Sequence, residues 1–106
     1  MKLCDYNLRG WHYKQIKSQI NFADKSILLL KVDLSGLGYK GLLKNLLAID
    51  PDENIIWIAQ IPKGFTLSYL YDAMLYEDKK LMVWRGDLYC EIDPESGQIL
   101  KELEIR

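Results

Sequence analysis

Short apolar segments with a period of two follow one another along most of the chain, separated by clusters of turn-forming residues. Between residues 87 and 92, for example, Leu88, Cys90 and Ile92 occupy alternate positions. This period is typical of β-strands with one buried face. The pattern predicts strands at 27–34, 42–49, 55–61, 65–76, 81–84, 87–92 and 98–105. The strand around Trp57 is apolar at successive positions, so we expect both of its faces to be covered.

Residues 11–22 fit two descriptions. Tyr13, Ile16 and Ile20 would share one helical face, which leaves open a short helix near residues 11–20. The aromatic residues Trp11 and Phe22 are equally typical of strands. We interpret the segment as an irregular strand, which brings the prediction to about eight strands with mostly antiparallel neighbours.

One turn sequence occurs twice. Residues 50–54 (Asp-Pro-Asp-Glu-Asn) and 93–97 (Asp-Pro-Glu-Ser-Gly) each follow an apolar segment that ends in isoleucine. Aspartate accepts hydrogen bonds from nearby backbone amides, and proline presets the φ of a type I turn. Asn54 and Gly97 are the positions expected to take positive φ. The repeat indicates two similar hairpins in one all-β domain of residues 1–106.

From Lys79 the chain reads Lys-Lys-Leu-Met-Val-Trp-Arg-Gly-Asp-Leu-Tyr-Cys-Glu-Ile-Asp-Pro-Glu-Ser-Gly-Gln-Ile-Leu, and 47–57 follows the same scheme. These stretches resemble the blade repeats of quinoprotein-type β-propellers. A propeller needs at least four blades, whereas this chain has length for about two and a half. The expected architecture is therefore a compact sandwich or roll of blade-like hairpins. The alternative is self-assembly of several copies around a small-ligand pocket. No cofactor residue of quinoproteins has a counterpart here.

In size and style the chain also resembles small bacterial immunity proteins, which neutralise a cognate toxin. Such proteins act by binding and need no catalytic group. The resemblance implies a protein partner, with a basic toxin domain as the expected one.

The composition of the chain narrows the classes of function that we expect. The chain has 106 residues, 49% hydrophobic and 27% charged, and a net charge of −1. This balance predicts a folded domain with no nucleic-acid partner. No apolar run reaches transmembrane length, and residues 1–5 do not resemble a signal peptide. We therefore expect a cytoplasmic protein that does not enter a membrane, with Cys4 and Cys90 as free thiols and Cys90 facing the core.

Candidate chemical groups are few. Gly36, Gly38 and Gly41 match a phosphate-binding spacing, but the strand–helix context of such sites is absent. His12 is the only histidine and sits between Trp11 and Tyr13, as expected for a surface aromatic cluster. Turn geometry accounts for the carboxylates of residues 50 and 52. We expect no cofactor and no metal, and an uncharacterised enzyme is the least supported of three hypotheses.

The half of the chain from residue 54 onwards carries nine acidic and six basic residues and several tyrosines, so it has the acidic surface. If Tyr89 lies opposite Cys90, it is exposed beside Asp87 and Glu91. Tyrosine supplies contact area, and acids steer a cationic partner. The leading hypothesis is a non-catalytic protein-binding module with an acidic, tyrosine-rich face that includes Asp72, Asp87, Tyr89 and Glu91. Homo-oligomerisation remains open.

Overall fold

The computed structural model describes residues 1–33, 43–62 and 70–104, and in these residues it has eight β-strands in two antiparallel sheets. The first sheet contains β1–β4 in chain order: Ile16–Asn21, Ser26–Leu30, Leu46–Ile49 and Ile55–Ile58. The second contains β5–β8 in chain order: Ala73–Glu77, Lys80–Arg85, Leu88–Ile92 and Ile99–Glu104. Each sheet is a meander, and the two pack around a shared core. The predicted all-β antiparallel sandwich is confirmed.

The ambiguous segment 11–22 contains strand β1 and no helix. Its pairing with β2 shifts register between Ile16 and Ser18, so the interpretation as an irregular strand is confirmed for residues 16–21, whereas residues 11–15 form no strand. The described helical turn lies earlier, a short 3₁₀ helix at Leu3–Asp5. The predicted glycine-rich loop at 35–41 and the beginning of the predicted strand 65–76 lie outside the described residues.

The two central strands of the first sheet, β2 and β3, are buried on both faces, whereas β1 alternates between half-buried and exposed residues and Ile56 in β4 is 49% exposed. All four residues from Ile27 to Leu30 in β2 are buried, as are Leu46, Leu47 and Ala48 in β3. One face packs against the second sheet in a core that includes Ile27, Leu29, Leu46, Ala48, Trp57, Leu81, Val83, Cys90 and Ile92. Successive side chains of a strand point to opposite faces, so continuous burial requires a cover on each side.

Residues 1–15 form the second cover. Leu3, Leu8 and Trp11 pack on the face that carries Leu28 and Leu30. Backbone hydrogen bonds fix this segment along the edge of β4: the Leu3 amide donates to the Glu53 carbonyl (2.8 Å) and the Ile55 amide to the Met1 carbonyl (2.8 Å). The N-terminal segment therefore covers a face of the first sheet and pairs with the beginning of its edge strand β4.

The repeated Asp-Pro turns occupy the same place in each sheet, between its third and fourth strands. Asp50 Oδ1 accepts from the amides of Asp52 and Asn54, both at 2.9 Å. Asp93 Oδ1 accepts from the Glu95 amide at 2.9 Å. In both hairpins the strand pairing shifts register directly beside the turn. The sequence repeat is thus also a structural repeat.

One detail of the turn prediction was wrong. Positive φ falls on Glu53 (64°) and not on Asn54, whereas Gly97 (76°) adopts it as expected. The reason is that the first turn is one residue shorter: the Asp50 carbonyl accepts from Glu53, and the Asp93 carbonyl accepts from Gly97. Asn54 instead donates from its side chain to Asp50 Oδ2 (3.0 Å).

Trp57 connects the two hairpins. Its indole Nε1 donates to the Pro94 carbonyl at 3.0 Å, and its ring lies against Gly97. A Cβ on Gly97 would lie only 2.5 Å from the Trp57 ring. Glycine is therefore required at this position for its φ and also for the space that the indole occupies.

Asn45 joins the first sheet to the chain that enters the second. Its buried side chain donates to the Tyr71 carbonyl (2.9 Å) and accepts from the Tyr71 amide (2.9 Å). The Asn45 amide therefore forms with Tyr71 the two hydrogen bonds that the backbone of a neighbouring strand would form. Asn45 Nδ2 also donates to the Leu30 carbonyl at 3.3 Å. Such a buried amide is stable only because its polar atoms have partners.

We expect Gly97→Ala to lower the free energy of unfolding by about 2–4 kcal/mol, because the methyl group meets Trp57 and the backbone is left-handed. Gly86→Ala is the matched control: Gly86 also has positive φ (56°), but nothing lies within 4 Å of its would-be Cβ. That variant should lose only about 1 kcal/mol. Urea denaturation measures both. Equal losses would contradict the proposed contact with Trp57.

Candidate protein-binding face

The second sheet has one face against the core and one turned away from the first sheet, here called the outer face. Met74, Tyr76, Leu81, Val83 and Cys90 point into the core. By alternation along each strand, the outer face consists of Ala73, Leu75, Glu77, Lys80, Met82, Trp84, Tyr89, Glu91, Lys101 and Leu103. No described segment covers this face as residues 1–15 cover the first sheet.

Strand register arranges the outer face into rows that cross all four strands. One row is apolar and aromatic, with Ala73, Trp84, Tyr89 and Leu103 side by side. The next row is apolar at one end and charged at the other, in the order Leu75, Met82, Glu91 and Lys101. Large apolar side chains remain accessible here: Leu75 is 46% exposed and Leu103 is 50% exposed.

Trp84 and Tyr89 form the centre of the first row. Their ring centroids are 5.6 Å apart, with ring planes inclined by 50°. The Tyr89 hydroxyl donates to Glu91 Oε1 at 2.9 Å. Desolvation and this hydrogen bond to Glu91 raise the pKa of Tyr89 to about 12. Tyr89 is thus a neutral, positioned aromatic side chain beside a carboxylate.

The four residues predicted from the sequence are only partly brought together. Tyr89 and Glu91 are neighbours on the outer face. Asp87 is exposed in the turn between β6 and β7. Asp72 lies at that same turn, but its carboxylate accepts from Arg85 Nη1 (3.2 Å) and from the Gly86 amide (3.0 Å). Its charge is therefore balanced within the fold, and its evident role is to hold the turn.

The outer face is less rich in tyrosine than the sequence-based prediction of a tyrosine-rich face. Tyr71 is buried, and Tyr76 packs edge-on against Phe22, with ring centroids 5.0 Å apart. Tyr69 lies outside the described residues. Of the tyrosines in this half, Tyr89 is the one that the structure places on the outer face, where its neighbours are tryptophan, methionine and leucine.

Sequence reasoning missed Trp84, Met82, Leu75 and Leu103. A signal was present, since residues 81–84 are apolar at every position in a strand between two charged turns. Such a strand needs partners on both sides, or it leaves one apolar side exposed. What the sequence alone could not tell was which sheet the N-terminal segment would cover.

Acidic charge is concentrated in the hairpin formed by β7 and β8. Residues 86–104 contain one basic residue, Lys101, and six acidic residues: Asp87, Glu91, Asp93, Glu95, Glu102 and Glu104. Glu95 is paired with Lys25 at 3.0 Å, and Asp93 is used within its own turn. Asp87, Glu91 and Glu102 lie along or beside the two strands and contribute negative charge there.

Other reactive groups lie apart from the outer face. Burial raises the pKa of Cys90 to about 11, with a further contribution from the charge of Glu102, so its thiol is protonated at neutral pH. Cys4 and His12 are exposed in the N-terminal segment. In the described part of the chain, no three metal-ligating side chains are grouped to hold an ion. No helix in that part is long and apolar enough to cross a membrane.

We expect the wild-type protein to lose stability relative to Tyr89→Phe as pH rises from about 10 to 12. The unfolded state releases the tyrosine proton near its ordinary pKa, whereas the folded state retains it until about 12. The stabilisation is therefore present below that window and is lost within it. Denaturant midpoints measured from pH 8 upwards test this. Glu91→Gln should reduce the effect, and parallel curves for wild type and Tyr89→Phe would contradict it.

Comparison with known proteins gives no matching family model, no similar curated protein and no similar solved structure. Any functional conclusion must therefore come from the geometry of this chain.

Proposed function

We propose that this protein is a non-catalytic protein-binding module whose outer face is the binding surface. The observation that carries this proposal is the apolar, aromatic row of Ala73, Trp84, Tyr89 and Leu103 across a sheet that nothing in the described chain covers. An antiparallel sheet with one face in solvent usually has polar side chains on that face. Exposed apolar area that is contiguous and rimmed by charge is typical of interaction sites.

The side chains on this face suit binding. Tryptophan, tyrosine and methionine are enriched at protein interfaces, and aromatic residues at the centre of an interface often contribute most of the affinity. Trp84 and Tyr89 are already packed against each other, so little side-chain freedom is lost on binding. The charged residues of the outer face lie on one side of this pair, with Glu91 and Lys101 in the next row and Glu77 and Lys80 in the row beyond it.

The acidic hairpin indicates the class of partner. A protein with a basic surface would be steered towards β7 and β8 and would then bury the aromatic row. Neutralisation of a basic toxin domain, as immunity-type proteins perform, is the specific form of this proposal. The resemblance to those proteins in size and style supports it.

Self-assembly into a ring of blade-like sheets is less well supported. Head-to-tail stacking would require the outer face of one copy to pack on the exposed side of the next copy's first sheet. In this chain Leu3, Leu8 and Trp11 already occupy that side. An enzymatic role gains no support from Cys90, because its thiol is protonated at neutral pH.

We expect Leu75→Asp to weaken partner binding by at least about tenfold, because it places a charge in a desolvated apolar contact. Leu75 lies on the outer face, and Ile56→Asp in β4 is the matched control, since the two apolar side chains are similarly accessible, at 46% and 49% exposed. A partner captured with the wild-type protein is identified by mass spectrometry and titrated against each variant. Equal binding by the Leu75 and Ile56 variants would contradict the proposed surface.

Neutralising Asp87 and Glu91 together (Asp87→Asn with Glu91→Gln) should slow association with a basic partner several-fold at low salt, and the difference should shrink as salt rises. Dissociation should change less than association. Asp5→Asn with Asp52→Asn is the control of equal charge, because both residues are exposed and lie in the N-terminal segment and in the turn of the first sheet. Stopped-flow or surface-binding kinetics at several salt concentrations give the comparison. Unchanged association in the first pair would exclude steering by these carboxylates.

A further inference from the structure

A small pocket lies on the face of the first sheet that residues 1–15 cover. Its apolar lining combines Leu3 of that segment with Ile16, Leu28 and Ile49 of the sheet. The pocket has a volume of about 270 Å³, which is below the range of about 300–1,000 Å³ that holds drug-sized ligands. Since a water molecule in the liquid occupies about 30 Å³, the pocket has room for a small molecule of about ten non-hydrogen atoms.

The pocket is apolar at its base and polar at its mouth. Leu3 and Leu28 are buried, whereas Ile16 and Ile49 are half-buried. The polar lining residues are all exposed: Tyr13, Lys14, Gln19 and Glu53. A ligand that fits this arrangement has an apolar part at one end and charged or polar groups at the other, because each part then meets side chains of its own kind.

Two opposite charges stand at the mouth of the pocket. Lys14 and Glu53 are the charged side chains of the described lining, and neither forms an ion pair with another described residue. Both adjoin Tyr13: its hydroxyl donates to Glu53 Oε1 at 2.7 Å, and Lys14 Nζ lies 5.7 Å from the centroid of its ring. The Gln19 side-chain amide donates to Asn21 Oδ1 at 2.7 Å and adds no charge. A positive and a negative group therefore lie near one tyrosine without being paired with each other.

The backbone conformation of both charged residues is one that favours glycine. Lys14 has φ 79° and Glu53 has φ 64°, in the left-handed region where a side chain adds strain. In the second Asp-Pro turn the position with positive φ is occupied by glycine, Gly97 (76°). Side chains kept in strained conformations are concentrated at binding and catalytic sites. Two separate turns thus each have a charged side chain, where glycine would be less strained, at the mouth of the same pocket.

We propose that this pocket binds a free α-amino acid with an aliphatic side chain, such as leucine. The ammonium group of the ligand pairs with the Glu53 carboxylate and its carboxylate with Lys14 Nζ, while its side chain packs on Ile16 and Ile49. A peptide terminus or a fatty acid carries only one of the two charges and would leave the other side chain unpaired. The pocket lies on the first sheet, so the inference goes beyond the proposed protein-binding function and does not depend on it.

Titration with L-leucine, followed by the methyl NMR signals of Ile16 and Ile49, tests the site in the intact protein. We expect saturable shifts with a Kd of about 1 mM or lower. Leucinamide, which lacks the carboxylate, and 4-methylpentanoate, which lacks the ammonium group, should bind at least about fivefold more weakly. No saturable shift with leucine at tens of millimolar, or equal affinity for the three compounds, would overturn the proposal.

Charge-removing variants test the two charged residues of the pocket. Lys14→Gln and Glu53→Gln should each weaken leucine binding by about fivefold or more, because each leaves one end of the ligand unpaired. The matched controls are Lys79→Gln and Asp78→Asn. Lys79 and Asp78 carry the same two charges and also have positive φ (63° and 51°), but they form the two-residue turn between β5 and β6, where the hairpin requires that conformation. The controls should leave the affinity for leucine unchanged, and equal weakening by both sets would overturn the site.

Lys14→Gly separates binding from stability. Its urea midpoint should stay close to that of the wild type, because relief of strain offsets the greater freedom of glycine in the unfolded chain. Leucine binding should nevertheless weaken as in Lys14→Gln. Retained affinity for leucine in this variant would show that Lys14 does not contact the ligand, and would overturn the proposal.

Discussion

The central strands of the first sheet are apolar on both faces, and this constraint organises the molecule. Ile27 to Leu30 cannot be buried by a single layer, so the sheet lies between the second sheet and residues 1–15. Burial of these side chains supplies the main driving force for folding. In this arrangement residues 1–15 cover the first sheet and not the second. Among the described residues nothing covers the outer face of the second sheet, and Trp84, Tyr89, Leu75 and Leu103 are on it.

Specific contacts convert this layered arrangement into one defined structure. Trp57 reaches from the first sheet to the Asp-Pro turn of the second, where Gly97 makes room for its ring. Asn45 pairs with the backbone of Tyr71 where the chain enters the second sheet. Both contacts join hairpins that are distant in sequence, and both depend on shape or on paired polar atoms. Apolar packing alone would leave the relative position of the sheets less well determined.

The sequence predicted the fold class well, because strand alternation and turn chemistry are local signals. The Asp93 turn, the buried Cys90 and the irregular strand at 16–21 followed from such signals. The position of positive φ in the first turn did not, since it depends on a loop one residue shorter than its repeat. The proposed binding face was only partly predictable: Tyr89 and Glu91 share it, whereas Asp72 is held by Arg85. Which apolar side chains remain exposed depends on where residues 1–15 pack, and that is a long-range property.

If the proposed function is right, the outer face of the second sheet is covered by another protein in the cell. Oxidative footprinting with hydroxyl radicals, performed on the purified protein and in lysate of the cells that produce it, tests this even while the partner is unidentified. We expect oxidation of Met82 and Trp84 to slow several-fold in lysate, whereas Met1 and Tyr13, which lie on the N-terminal segment, should react as in the purified protein. Equal oxidation of Met82 and Trp84 in both samples, or protection of Met1 and Tyr13 instead, would contradict it.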